Sequence, residues 1–541
     1  MTDFKNKVIY QIYPKSFKDT NHDGIGDLKG ITQSLDYLND LGVDYLWLTP
    51  FVVSPQRDNG YDIADYYHIN PMYGTDEDLD ELINQANKRD IGLMMDMVFN
   101  HTSTDHEWFQ KALQGDPYYQ DFYIFKDSKD IPNNWVSKFG GPAWNYAPEL
   151  KKWYLCLFDK TQADLNWDNP HVREELKNVI RFWKERGIKG FRFDVINLIS
   201  KGGYDNDYEG DGRRYYTDGP HVHEYIHELV HDTGIKDMIT VGEMSSTSLE
   251  DCIKYSNSER EELKMTFSFH HLKVDYKDNK KWELMDPDYK KLKELFKNWQ
   301  LGMQAGHGWN ALFWCNHDQP RIVSRFGDEG KYWKESAKML ATMIHMMQGT
   351  PYIYQGEELG MLNSHYEDIS EYRDVESLNY YKILLEEGHT REEALHILSA
   401  RSRDNSRSAM QWDDSTYAGF SDHEPWITMP HTDKHISVKE EINDKDSILN
   451  YYKQLVELRH ELPVISEGTI SFLYDDREDI MSYQRQYEDD ELVVICNMWN
   501  QDTTVTLEDC YLSYTTLLSN YPITVEKTLK LPPYATIVLR K

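Results

Sequence analysis

The sequence predicts an α/β protein: an eight-stranded parallel (β/α)8, or TIM, barrel, with a small inserted domain after the third strand and a C-terminal antiparallel β-sandwich. Three observations predict it. Eight short apolar runs alternate with amphipathic, helix-like segments between residues 8 and 358. Those runs are β-branched or aromatic-rich and apolar on both faces, as fully buried parallel strands require. No G-x-G-x-x-G follows any of them, which removes the doubly wound dinucleotide-binding alternative.

The elements follow in order. VIYQIYP (8–14) reads as a strand and Leu28–Leu41 as a helix; DYLWLTP (44–50) is the second strand, with a helix at Glu77–Lys88. GLMMDMV (92–98) is the third. The helix Val172–Arg186 then leads to GFRFDV (190–195), and His221–Asp232 to ITVGEM (239–244) and MTFSF (265–269). The helix Tyr289–Gln304 precedes LFWCNHD (312–318), and Tyr332–Gln348 precedes PYIYQGEE (351–358). Residues 101–170, rich in Trp, Tyr, Pro and Asn, are too long for a βα loop and are expected as the inserted domain. The barrel then comprises 1–100 and 171–464. From 465 to 541 the pattern changes to short alternating runs (TISFLY, IMSYQRQY, LVVICNMW, TTVTL, YATIVL), the signature of antiparallel strands.

Composition limits the partners. The 541 residues carry 59 Lys plus Arg against 92 Asp plus Glu, a net charge of −33 that repels nucleic acid and anionic membranes. The five cysteines (Cys156, Cys252, Cys315, Cys496, Cys510) are scattered and form no CxxC, which fits a reducing compartment. The N-terminal MTDFKNKVIYQIYPKSF has no apolar leader segment, and no apolar stretch is long enough to span a bilayer. A cytoplasmic monomer is expected.

Catalytic groups of such barrels lie at the C-terminal ends of strands. Here those ends carry Asp96 and His101, Arg192 and Asp194, Glu243, and His317-Asp318. Arg192 and Asp194 are two apart on a strand and share a face, so the guanidinium keeps the carboxylate ionised, as a nucleophile needs. Glu243 has no adjacent cation in sequence and is expected to be held protonated, as an acid. Two carboxyls in unlike surroundings are what retaining glycoside hydrolysis requires, with a separation of roughly 5–5.5 Å.

At this point the chain resembles the α-amylase-type retaining glycosidases, glycoside hydrolase family 13. The blocks are DMVFNH (96–101), QADLNW (162–167), GFRFDVIN (190–197), VGEM (241–244) and FWCNHD (313–318), in the family's order. The resemblance implies Asp194 as nucleophile, Glu243 as general acid/base and Asp318 as the acid holding sugar hydroxyls. It also implies His101, Arg192, His317 and Gln162 around the attacked sugar. DNGYDI (58–63) matches the segment supplying Asp58 and a stacking Tyr61. NSRSAMQW (405–412) resembles the family's NARTPMQW, departing at Ser406, Ser408 and Ala409, and places Arg407 near Asp58. QADLNW and DVIN resemble the oligo-1,6-glucosidase branch. GDGRRYYTDGP (210–220), VGEMSSTSLE (241–250), MTFSFHHLKVDY (265–276) and NALFWCNHDQPRIVSRFGDEG (310–330) resemble those members whose substrate is a small phosphorylated disaccharide. The alternative within the branch is action on isomaltose-type oligosaccharides.

Two loops carry further expectations. Asp19-x-Asn21-x-Asp23-Gly24-x-x-Asp27 has oxygen ligands at calcium-loop spacing, with the Ile25 carbonyl as a fifth donor, so a structural Ca2+ is expected. Position 12 is Gly30 rather than Glu, so the loop is not an EF-hand. Residues 270–281 hold four Lys and two His against two Asp at the catalytic rim. In so acidic a chain, such a patch suits a phosphate, with His270 and Lys281 first, Lys273 next and Arg213-Arg214 in reserve.

Overall fold

The fold is described from a computed structural model covering residues 4–432 and 434–541. Eight parallel strands form the barrel: β1 (Ile9–Ile12), β2 (Tyr45–Leu48), β3 (Gly92–Val98), β4 (Gly190–Asp194), β5 (Ile239–Glu243), β6 (Met265–Phe267), β7 (Ala311–Leu312) and β8 (Thr350–Tyr354). Their order in the sheet is β6-β5-β4-β3-β2-β1-β8-β7. A parallel bridge between Thr266 and Asn310 links β6 to the residue before β7, so the sheet nearly closes. All seven residues of β3 are buried, as an apolar strand between barrel interior and helices must be.

The helices carry sequence-local start and stop signals. Asn169 caps Pro170–Arg186 with Pro at its first turn and Gly187 at its end, and Val172, Leu176, Val179, Ile180 and Trp183 are buried. The expected helix 28–41 is instead two, Leu28–Gln33 and Leu35–Leu41. At the break, Ser34 turns its hydroxyl back onto the Gly30 carbonyl. The run 312–318 pairs as a strand only at Ala311–Leu312. Beyond it the Phe313 carbonyl accepts from His271, and the chain turns with Asn316 Oδ1 accepting from the Asp318 N–H at 2.8 Å.

Between β3 and β4, His101–Ser103 pairs antiparallel with Gln162–Asp164, and a three-stranded sheet joins 125–126, 152–155 and 144–147. At the C-terminal end a five-stranded antiparallel sheet packs with the pair Thr503–Thr506 and Thr528–Leu531 over Val493, Ile495, Val505, Leu529 and Ile537. Thr515–Ser519 and Thr528–Leu531 are strands that the alternation pattern did not reveal. Helices Leu249–Ser256, Val375–Glu386 and Arg391–Arg401 were also not predicted, although Ser248-x-x-Asp251 and Thr390-x-x-Glu393 have capping-box spacing. No helix among the described residues is long and apolar enough to cross a membrane.

Candidate active site

Strand register builds the centre of the site. Arg192 lies beside Asp96 across β4–β3, and β5 flanks β4 on its other side. Arg192 Nη1 donates to Asp96 Oδ1 and Asp194 Oδ1, both at 2.7 Å, and its Nη2 contacts Glu243 Oε2. One buried guanidinium thus gathers carboxylates from three strands. Glu243 is therefore not isolated from cations, as adjacency in sequence suggested. The neighbour comes from the next strand, which linear spacing does not report. Asp96 is sealed below by Trp47 Nε1 and Tyr61 Oη, donating at 3.0 and 2.9 Å. Val195, next to Asp194, has φ of 35°, a strained left-handed turn for a β-branched residue that swings the chain off the strand.

The two histidines are neutral. Burial lowers His317 to about 3 and also lowers His101. His317 Nδ1 accepts from Gln11 Nε2 at 2.8 Å, which puts the proton on Nε2. That N–H lies 3.3 Å from Asp318 Oδ2 but makes no hydrogen bond among the described residues. Its ring stacks on Tyr61 at 5.0 Å. His101 Nε2 donates to the Tyr61 carbonyl at 3.0 Å, where Gln162 also donates. Burial alone would raise Asp318, but the guanidiniums of Arg403, Arg407 and Arg192, with the His317 ring beside it, outweigh it and hold the carboxyl well below its ordinary range.

Arg407 lies near Asp58, as the motif implies, close enough to act on its carboxyl, but its hydrogen bonds go elsewhere. Its Nη2 donates to Asp318 at 2.8 Å and its Nε to the His317 carbonyl. Asp58 is held instead by Arg403 at 3.0 Å and Gln162 at 2.9 Å. The two arginines are four residues apart across the short helix Asp404–Arg407, so both reach the same face and the cation one turn earlier takes Asp58. Asp374, absent from the sequence reading, anchors both: Oδ1 accepts from Arg403 at 2.5 Å and lies 3.6 Å from Arg407. Arg403, Asp374 and Glu376 lie in an unpredicted helical region, where no motif marked them.

A cavity of about 220 Å³ opens over this centre, lined by Asp58, Tyr61, His101, Asp194, Glu243 and Asp318 among others. It shares Lys273, Tyr276, Lys281 and Glu376 with an outer cavity of about 1100 Å³. The three residues expected to hold a phosphate all face that outer space, in different states. Lys281 is paired to Glu376 at 2.6 Å. His270 packs on Trp299 and is kept neutral, its pKa lowered to about 4 by burial and by Lys273 and Lys291. Lys273 has no carboxylate partner among the described residues, and burial and Arg213 lower its pKa. Of the reserve pair, Arg213 is paired to Asp211 but also faces this outer cavity, whereas Arg214 is paired to Asp207 and does not line it.

The candidate calcium loop folds as a chain of Asx turns. Asp19 Oδ1 accepts from the N–H groups of Asn21 and His22, and Oδ2 from Gly24 N–H and Ser421 Oγ. Gly24 is required at φ 82°, where a Cβ would meet the Glu424 carbonyl at 2.2 Å. Asp23 accepts from Ile25 N–H, and Asp27 caps a helix through Gly30 N–H. The donor set is all oxygen, which suits a hard cation. Among the described residues, however, no three His, Cys, Asp or Glu side chains stand together as a ligand group.

The alpha-amylase catalytic-domain family matches residues 11–468. The chain belongs to the alpha-amylase family. The alpha-amylase SusG C-terminal domain matches residues 480–538. Among alpha-amylase relatives, the trehalose-6-phosphate hydrolase of Bacillus subtilis is 52% identical, over 94% of this chain and 91% of its own. The oligo-1,6-glucosidase of Bacillus cereus is 44% identical over 99% of both chains. The crystal structure of Bacillus licheniformis trehalose-6-phosphate hydrolase superposes with a TM-score of 0.95 at 52% identity, covering 99% of each chain. For an alpha-amylase barrel, carboxylates meeting in a small cavity suit an acid/base attack on a sugar.

Proposed function

We propose that this chain is a retaining α-glucoside hydrolase that cleaves α,α-trehalose 6-phosphate to glucose and glucose 6-phosphate by double displacement. The observation that carries this is the pair of joined cavities. A carboxylate-lined pocket of monosaccharide size opens onto a space whose lining holds six Lys or Arg, Lys138, Arg213, Lys273 and Lys281 among them, against four Glu. That is a local excess of cations in a chain of net charge −33. The global field opposes a dianionic substrate, so this local wall has to receive the phosphate. The likeness to trehalose-6-phosphate hydrolases supports the reading. A cytoplasmic location belongs to the same proposal.

In this reading the unsubstituted glucosyl ring occupies the inner cavity. Asp194, oriented by Arg192, attacks its anomeric carbon while Glu243 protonates the glycosidic oxygen, and glucose 6-phosphate leaves through the outer cavity. Glu243 must first exchange its Arg192 contact for the substrate. Water, deprotonated by Glu243, then releases glucose from Asp194 with its configuration retained. Asp318 and Asp58, fixed by Arg403 and Arg407, and the donors His101 and His317 bind the ring hydroxyls.

Hydrolysis of trehalose 6-phosphate, trehalose and isomaltose should be compared at equal concentration. Trehalose 6-phosphate is expected to exceed both by about 100-fold or more in kcat/KM, because its absence leaves buried cations unpaired. Faster turnover of isomaltose would make the chain an oligo-1,6-glucosidase, the reading favoured by the Bacillus cereus relative.

Calcium belongs to the proposal on donor chemistry, with Asp19, Asn21, Asp23, the Ile25 carbonyl and Asp27 as its ligands. A chelator is then expected to lower the melting temperature by several degrees while leaving the catalytic groups intact. An unchanged melting curve, with no metal by elemental analysis, removes the ion.

A further inference from the structure

Lys138 is a cation that neither the motifs nor the family blocks single out, and its surroundings do not explain it as a structural residue. It lies between β3 and β4. Its N–H donates to the Leu157 carbonyl at 2.8 Å, and a bridge between Val136 and Pro142 pins the backbone around it. Its Nζ donates to Ser245 Oγ at 3.2 Å and lies 5.3 Å from the centre of the Tyr216 ring. Ser245 is two residues beyond Glu243 and lines the inner cavity, whereas Lys138 lines the outer one, so the ammonium stands beside the passage between them. No carboxylate pairs with it among the described residues. Two further cations, Lys273 and Arg213, line the same outer cavity. The segment bearing Arg213 is docked against that of Lys138, since Val136 N–H donates to the Asp211 carbonyl at 3.1 Å and Gly212 abuts Trp135.

We propose that Lys138 is a specificity-determining residue: with Lys273 and Arg213 it forms a cradle, one cation from each of three chain segments, that grips the phosphate of the leaving sugar. The proposal rests on the phosphorylated-sugar reading above. Ammonium and guanidinium groups facing one cavity repel each other and lose solvation, and a phosphate dianion relieves both penalties. The groups facing Lys138 are Arg213 and Asp211 from one segment, Tyr216 beyond them, and Lys273 after β6. Burial is the largest influence against its charge, Arg213 and Lys273 add to it, and Asp211, already paired to Arg213, opposes them. Together they lower Lys138 to about 7.

The sign of the pH effect follows. Above pH 7 the free protein progressively loses the Lys138 proton. The dianion restores it, so binding takes up a proton and weakens as pH rises. KM for trehalose 6-phosphate should therefore rise by up to about tenfold per unit between pH 7.5 and 9, where the phosphate is already fully dianionic.

The test compares wild type, Lys138→Gln and Lys138→Arg on trehalose 6-phosphate and on an uncharged aryl α-glucoside across that pH range. Lys138→Gln is expected to lower the ratio of kcat/KM for the phosphorylated substrate over the neutral one by about tenfold or more. Lys138→Arg is expected to restore much of the ratio and to flatten its fall with pH, since arginine stays charged. An unchanged ratio in Lys138→Gln, or a pH slope identical in wild type and Lys138→Arg, overturns the role of Lys138 while leaving the phosphorylated-sugar reading intact. A wild type with no preference for the phosphorylated substrate overturns both.

Discussion

Asp194→Asn is expected to lose roughly 10⁴-fold or more in kcat on any glucoside the protein cleaves, because the amide oxygen is too weak a nucleophile to form the glycosyl–enzyme bond. The fold should be unaffected. Asn retains the oxygen that accepts from Arg192 at 2.7 Å, and Asp96 still holds the other side of Nη1. Steady-state kinetics with a circular-dichroism melt checks both halves. The wild type should release its sugar with retained anomeric configuration, visible by NMR in the first minutes of reaction. An inverted product would assign Asp194 to general-base work on water and end the double-displacement mechanism.

Asp374→Ala carries the largest expected effect on stability, about 3–5 kcal/mol, measured by denaturant unfolding. Asp374 is fully buried, and its removal leaves Arg403 and Arg407 without the carboxylate that anchors them. Catalysis should fall as well, since those arginines position Asp58 and Asp318. The pH dependence has a defined sign. Burial would raise Asp374, but Arg403 and Arg407 outweigh it and hold its pKa below the ordinary value. Its contribution to stability is therefore complete above the unfolded-state pKa of about 4 and is lost as pH falls below it. A variant whose stability gap from wild type stays constant from pH 7 to pH 3 would show that the pair contributes packing and not charge.

The sequence by itself determined the barrel and which strands bring ionisable residues together, because both rest on local periodicities. Strand β3 spans the same seven residues in sequence and in space, since a run this short, apolar but for Asp96, has the length of a buried strand and not of a helix. The two-residue period puts Arg192 and Asp194 on one face, and their contact at 2.7 Å follows from spacing alone. Position at strand ends likewise brought Asp194 and Glu243 to one cavity, which Asp318 reaches from the turn that follows β7.

What only the tertiary structure decided is who neutralises whom. Arg192 reaches Glu243 across strands, Arg403 displaces Arg407 at Asp58, Lys281 is taken by Glu376, and Lys138 arrives at the outer cavity from a segment more than 130 residues away from Lys273. The physical reason is range. Backbone geometry repeats over two to four residues and leaves its mark in the order of side chains. Charge pairing acts through space over a few ångströms, between groups whose separation along the chain carries no information about their contact.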